Sequence, residues 1–294
     1  MKKIAIAAMI AAASVVASAQ VTVYGKLRVY EESTKVGSAD AVTALTNDSS
    51  RLGFKGTEAL GSGLSANFTI ETGIGGDAPT ASTLGDRTMQ VGLSTALGSI
   101  GLGRDKHVIA RTLDNYDAMG NVYGSSIAVI HAAQGSRLSN AAFITVTPMP
   151  GFTVNYQNSN SEVAGVASAQ AGSIEFTRGP VSATVAMFDN GTTSTSTIYG
   201  ARVNVAKTGT NVFATYSDDK VAGVTNTGKS IGVNQPLTST LNALASYGTN
   251  DTTKAYDLGA TYNLSKRTMI HARYVKEDSA STTTKFGLGM EHNF

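Results

Sequence analysis

The charged residues of this 294-residue sequence sit on alternating positions, and that parity limits the chemistry they can do. Lys26 and Arg28 share one parity, against Val21, Val23, Leu27 and Val29 on the other. Arg51 and Lys55 likewise share one face of the next segment. Asp105, Asp114 and Asp117 are the candidate acids, within or just before a long irregular stretch, His107 to Gln134. Asp114 and Asp117 read equally well as turn residues that bond their own backbone. Basic and acidic groups that face one another hold a field across the gap between them, and low-dielectric walls focus it. Bond-making chemistry is poorly supplied. His107 and His131 fall near Ser125, Ser126 and Asp117, so a Ser/His/Asp site can be drawn on paper. No G-x-S-x-G elbow accompanies it, and there is no phosphate loop or H-E-x-x-H pair. Without cysteine there is no disulfide framework and no thiolate metal site. No enzyme activity and no cofactor or metal are expected.

The elements that carry these charges alternate from end to end. Leu64, Ala66, Phe68 and Ile70 oppose Asn67, Thr69 and Glu71; Tyr256, Leu258, Ala260, Tyr262 and Leu264 oppose Asp257, Gly259, Thr261 and Asn263. Phe286, Leu288, Met290, His292 and Phe294 oppose Lys285, Gly287, Gly289, Glu291 and Asn293. Period-two segments of about ten residues fit tilted membrane-spanning strands. Tight connections rich in Gly, Pro and Ser (residues 61–63, 97–99, 148–151, 179–180, 207–209, 236–239 and 265–266) alternate with longer polar ones (34–48, 73–86, 158–171, 190–196, 218–228 and 248–253). Short turns at one end and long loops at the other are the asymmetry of an outer-membrane barrel. The segments number roughly sixteen, and an even count puts both termini on the short-turn side. The stretch from His107 to Gln134, between the fifth and sixth strands, is expected to fold into the lumen. The fold class is therefore all-β, a membrane-spanning antiparallel barrel.

Composition agrees. Charged residues make up 15%, low beside the usual ~25% of soluble domains. The net charge of +2 points to no nucleic-acid partner. A secreted sandwich would need larger inward residues than these Ala- and Thr-rich segments offer, and no repeat period supports a solenoid. Lys2-Lys3, the apolar run from Ile4 to Val16 and Ala17-Ser18-Ala19 compose a leader, residues 1–19, with the barrel domain spanning 20–294. There is no Trp, so an aromatic girdle must come from tyrosines: Tyr156, Tyr199, Tyr216, Tyr256, Tyr262 and Tyr274, with Tyr24 and Tyr30 assigned to the inner face.

Four stretches resemble the general porins of Gram-negative outer membranes, the trimeric sixteen-stranded type. They are Val21-Thr22-Val23-Tyr24-Gly25-Lys26; Ser49 to Gly61; Leu102-Gly103-Arg104-Asp105 with Asp114 to Gly120; and Gly287 to the terminal Phe294. The resemblance implies Lys26, Arg51, Lys55, Arg87, Arg104 and Arg137 on the barrel wall, facing Asp105, Asp114 and Asp117 of the folded loop. Six cations against three acids imply a weak preference for anions. It further implies a homotrimer in outer-membrane lipid, passage of ions and small hydrophilic solutes, and Phe294 as a signal to the barrel assembly machinery. Alternatives are an anion channel selective for one substrate and a closed-lumen surface barrel or adhesin.

Overall fold

The computed structural model describes residues 20–76, 82–120, 126–131 and 137–294. The expected leader and the loop residues Tyr123, Gly124 and Ser125 lie outside the described residues. In chain order the strands are β1 (Gln20–Val36), β2 (Val42–Asn47), β3 (Arg51–Gly61), β4 (Leu64–Gly73), β5 (Thr88–Thr95), β6 (Gly98–Lys106), β7 (Arg137–Met149), β8 (Phe152–Ser159) and β9 (Ala169–Arg178). Then follow β10 (Val181–Asp189), β11 (Ser194–Val205), β12 (Thr210–Val221), β13 (Val224–Pro236), β14 (Leu241–Thr249), β15 (Lys254–Asn263), β16 (Thr268–Asp278) and β17 (Thr282–Asn293). Between β6 and β7 lie two short helices, α1 (Val108–Asn115) and α2 (Ser126–Ile130).

Every strand pairs antiparallel with its chain neighbours, apart from the β2–β3 break, and β17 returns to β1 from Lys26↔Asn293 to Val36↔Thr283. The sheet is therefore closed and leaves no edge. β2 and β3 both pair with β1, one above the other, so they fill a single position in a sixteen-stranded wall. The interruption at Asp48-Ser49-Ser50 is built on Arg28. The Asp48 amide donates to the Arg28 carbonyl at 3.0 Å, the Arg28 amide donates to Ser50 Oγ at 2.9 Å, and Ser49 takes a positive φ of 58°.

Two of the expected polar loops are instead hairpin arms. Residues 34–48 continue β1 and form β2, and residues 218–228 continue β12 into β13 through Ala222-Gly223 alone. Both turn residues have positive φ (49° and 87°), the geometry that matches strand twist in a two-residue hairpin. Polar composition marks solvent, and strands that project past a bilayer satisfy it as well as loops do.

Burial is inverted relative to a soluble domain. Val21, Val23, Val91, Leu93, Leu258 and Leu288 stand exposed on the outside, while Arg28, Gln157, Ser196, Ser217, Asp257 and Glu291 are buried on the inside. Lipid takes the place of a packed core on the outer face. Tyr199 meets Tyr216, and Tyr247 meets Tyr256, at ring centroid distances of 6.1 and 5.0 Å on that face. Tyr30 is buried inside, as its parity requires, with its ring laid over Gly289.

Candidate functional site

Among the described residues two buried apolar clusters lie in the lumen, and in both the chain between β6 and β7 packs on the wall: Tyr116 and Ala118 with Phe213 in the smaller, α1 in the larger. Val108 and Ile109 of α1 pack on Leu138, Phe143, Ala171, Ala186, Phe188 and Ile198. His107 stacks on Phe188 with centroids 5.0 Å apart, and the Val108 amide donates to Gln157 Oε1 at 3.1 Å. The chain then runs along the inner wall over a series of glycines. A Cβ added at Gly200 would lie 2.5 Å from the Tyr116 ring, at Gly232 2.5 Å from the Ala118 methyl, and at Gly259 2.8 Å from Met119 Cε. At Gly248 it would lie 2.7 Å from Ile130, and at Gly228 2.6 Å from His131 Nδ1. The absent side chains are what let the loop lie flat on the wall. His131 is wedged between Ser217 Oγ (2.7 Å) and Thr215 Oγ1 (2.9 Å) on β12, and Ser126 meets Ser246 at 2.6 Å on β14. Burial among these hydroxyls pushes the His131 pKa down to about 4. The imidazole is thus a neutral latch. Neither Ser126 nor Asp117 bonds it, so the paper Ser/His/Asp arrangement is not assembled among the described residues.

With the loop on the arc from β9 to β15, the open part of the lumen faces the arc from β1 to β7. The cations stand there. Arg28 bonds Glu291 through Nε and Asp48 through Nη1 (3.1 Å), and Lys26 lies 3.7 Å from Glu291. Glu71 accepts from Arg87 Nε at 2.7 Å and the Tyr24 hydroxyl at 3.1 Å, and its carboxylate forms an ion pair with Arg51 Nε at 3.3 Å. Lys55 Nζ sits 5.1 Å above the Tyr24 ring. Arg137, paired with Lys106 across the strands, lies within electrostatic reach of Arg87, Glu71 and Asp105. Lys26, Arg28, Arg51, Lys55, Arg87 and Arg137 are six cations against three acids, Asp48, Glu71 and Glu291. This cluster carries a surplus of three positive charges; of the further acids on the arc, Glu32 of β1 is matched by Lys285 at 3.3 Å and Asp105 of β6 by Arg111 at 2.6 Å.

Arg104 departs from the expected arrangement. It pairs with Met89 and lines an outward groove with Phe68, Ile70, Val91 and Leu102. Alternation gives it the parity of Leu102, and a bulge beginning at Gly103 (φ 131°) shifts the register only beyond that point. Its Nε donates to the Asp86 carbonyl at 2.7 Å.

The three acids also differ from a simple acidic face. Asp105 belongs to β6, where it takes Arg111 Nη2 at 2.6 Å and the Thr88 hydroxyl at 3.1 Å. Asp114, on α1, is bonded by Lys106. Asp117 is buried and accepts the Met119 amide at 2.9 Å, the turn geometry that its sequence position allowed. Asp105 and Asp114 are therefore charge-matched locally. Arg28, Glu71, Asp48 and Glu291 were not singled out as site residues from sequence. Inward parity was the available signal, since Glu71 and Glu291 both fall on polar strand faces.

The profile of Gram-negative porins matches residues 5–293. The chain belongs to the Gram-negative porin family. This porin is 28% identical over 267 residues to outer membrane porin protein 32 of Delftia acidovorans, covering 79% of this chain and 76% of that protein. It is 30% identical over 122 residues to the major outer membrane protein P.IB of Neisseria meningitidis serogroup B / serotype 15, covering 39% and 37%. In fold it is similar to an anion-selective porin from Comamonas acidovorans, with a TM-score of 0.84, 22% identity and coverage of 94% of this chain and 100% of that one. OmpT of Vibrio cholerae gives a TM-score of 0.75 at 14% identity, covering 96% and 100%. The porin is thus an outer-membrane barrel whose family and fold are those of a diffusion channel.

Proposed function

We propose that this porin conducts ions and small hydrophilic solutes passively, with a weak preference for anions. The surplus of three positive charges in this wall cluster supports this reading. A fixed charge at a constriction raises the local concentration of its counter-ion. The acids nearest the loop are matched by Lys106 and Arg111 and add little opposing field. The anion-selective porin that shares the fold is in keeping with it. The candidate constriction comprises Lys26, Arg28, Arg51, Lys55, Arg87 and Arg137 on the wall and Asp105, Asp114 and Asp117 at the loop. The work of the site is electrostatic, with no bond made or broken.

The working form is a homotrimer in outer-membrane lipid; the trimer form of Vibrio cholerae OmpT is consistent with this. Phe294 is the residue read by the assembly machinery. A single-channel recording in a potassium chloride gradient tests the channel and its preference together. The expected reversal potential lies on the chloride side. Potassium preference would overturn the selectivity, and a purified, folded barrel without conductance would indicate a closed-lumen surface protein.

A second reading is a channel selective for one anionic solute. The convergence of Arg51, Arg87 and Lys55 with Glu71 as their one acid favours it. It requires conductance that saturates with that solute.

A further inference from the structure

Between the folded loop and the short-turn mouth, the inner wall from β7 to β14 is lined by neutral polar groups. Its inward residues include Thr145, Asn155, Ser182, Asn204, Asn211 and Asn234. Two charges stand among them, Glu175 on β9 and Arg202 on β11. Strand register sets Glu175 level with Thr184 and Gly200, and Arg202 level with Ser182 and Thr177, one inward row closer to the mouth. The two are two strands apart, roughly 10 Å across the sheet, and offset by two residues, roughly 7 Å along it.

Both heads are held in place without being neutralised. Glu175 Oε1 accepts from Asn155 Nδ2 at 2.9 Å and from the Ser173 hydroxyl at 3.3 Å, while among the described residues Oε2 accepts no hydrogen bond. Arg202 Nη2 donates to Ser182 Oγ at 3.4 Å, a long bond to a hydroxyl already engaged by Thr177 at 2.8 Å. No carboxylate lies within 4.0 Å of Arg202 among the described residues. The buried Tyr116 fills the corner between the two charges. Its ring covers Gly200, at the level of Glu175 and on the strand of Arg202, and its hydroxyl is within electrostatic reach of both. Opposite charges held apart in this way match a solute that carries both signs. A guanidinium takes a carboxylate through two parallel N–H bonds, and a carboxylate oxygen takes an ammonium. A solute of single charge leaves one of the two groups unmatched.

We propose that Glu175 and Arg202, with Tyr116 between them, form a subsite for small zwitterionic α-amino acids on the short-turn side of the loop, apart from the basic cluster of the opposite wall. Glu175 takes the ammonium group, Arg202 takes the carboxylate, and Tyr116 fixes the floor between them. The subsite rests on the diffusion-channel reading, since it retains the solute beside the conducting path.

The test uses the whole folded porin with L-alanine as the probe, read by saturation-transfer NMR for binding and by single-channel current in symmetric potassium chloride for conduction. Wild-type protein should transfer saturation to the alanine methyl group, and its current should fall saturably as alanine is added. L-alanine methyl ester, which lacks the carboxylate, should do neither at equal concentration. Glu175→Gln and Arg202→Gln should each weaken retention about fivefold. Exchanging the pair, Glu175→Arg with Arg202→Glu, should restore it with the solute reversed. Lys207→Gln at the same mouth should leave it unchanged. A conducting wild-type barrel with no alanine signal would overturn the subsite. Equal binding of the methyl ester, or unchanged retention in a Glu175→Gln/Arg202→Gln double variant that keeps its strand content, would do so too. Alanine binding by a barrel that does not conduct would overturn the channel reading and leave the subsite standing.

Discussion

Phe294 and Gly25 close the barrel as a reciprocal pair. The Phe294 amide donates to the Gly25 carbonyl at 3.1 Å, and the Gly25 amide donates to the Phe294 carbonyl at 3.0 Å. The phenyl ring covers the space a Cβ at position 25 would need, and the Arg51 carbonyl lies 2.7 Å from that same point. Gly25→Ala must therefore displace an aromatic ring and press on backbone. The expected cost is about 1–3 kcal/mol, seen as a lower unfolding temperature by circular dichroism. Phe294→Ala should instead reduce the yield of inserted barrel while molecules that do assemble conduct normally. Normal insertion with altered conductance would assign the residue a different role.

Glu71 is the one acid shared by Arg51 and Arg87. Glu71→Gln raises the surplus on the basic arc by one charge. A unit charge about 6 Å from a passing ion contributes roughly 0.7 kcal/mol in a water-like medium, or about threefold in partitioning. The reversal potential should move further to the chloride side by a corresponding amount, and Arg87→Gln should move it the opposite way. A shift of the same sign in both variants would exclude the electrostatic account.

His131 makes the loop's docking sensitive to acid. Its docked pKa of about 4 lies below the ordinary ~6.5. The released imidazole takes up a proton first, so the stabilisation is fully present above about 6.5 and is lost as pH falls toward 4. The full effect is on the order of 3 kcal/mol. The groups facing it are Ser217, Thr215 and the Gly228 backbone, with Asp219 behind Ser217. Protease susceptibility of residues 126–131 should rise across this window. In His131→Gln the rise should be absent.

Much of this was legible because a strand has a period of two. The wall, its even strand number, the inner and outer tyrosines and the position of the lumen loop all follow from alternation and turn residues. The hairpin arms at residues 34–48 and 218–228 were not, because polar composition reports solvent and not backbone. Arg104 takes the outward parity of Leu102 by plain alternation; the family motif, which fixes a residue's neighbourhood but not its side of the wall, put it inside. The roles of Asp48 and Glu291 depend on Arg28 bringing distant strands together. Gly200 and Gly232 look like any other strand glycines until Tyr116 and Ala118 are seen against them.

Those glycines give the sharpest test of how the loop is held. A glycine in a strand interior is ordinarily a weakness, and a side chain there should favour the strand. At positions 232 and 259 the same substitution meets the loop, with different consequences. An alanine at 232 would find the Ala118 methyl at 2.5 Å, and that methyl has no torsion by which to retreat. An alanine at 259 would find Met119 Cε at 2.8 Å, the free end of a flexible side chain. Gly232→Ala should therefore push the loop from the wall into the open lumen and lower single-channel conductance. Gly259→Ala should leave conductance near the wild-type value. Both barrels should keep their strand content, because the closest contact is to the loop and the sheet contacts are looser, with Ser246 Cβ at 3.2 Å from position 232 and the Ala272 carbonyl at 3.4 Å from position 259. If the two substitutions lower conductance equally, the loop is held mainly by α1 and the His131 latch, and the glycine seats only accommodate it.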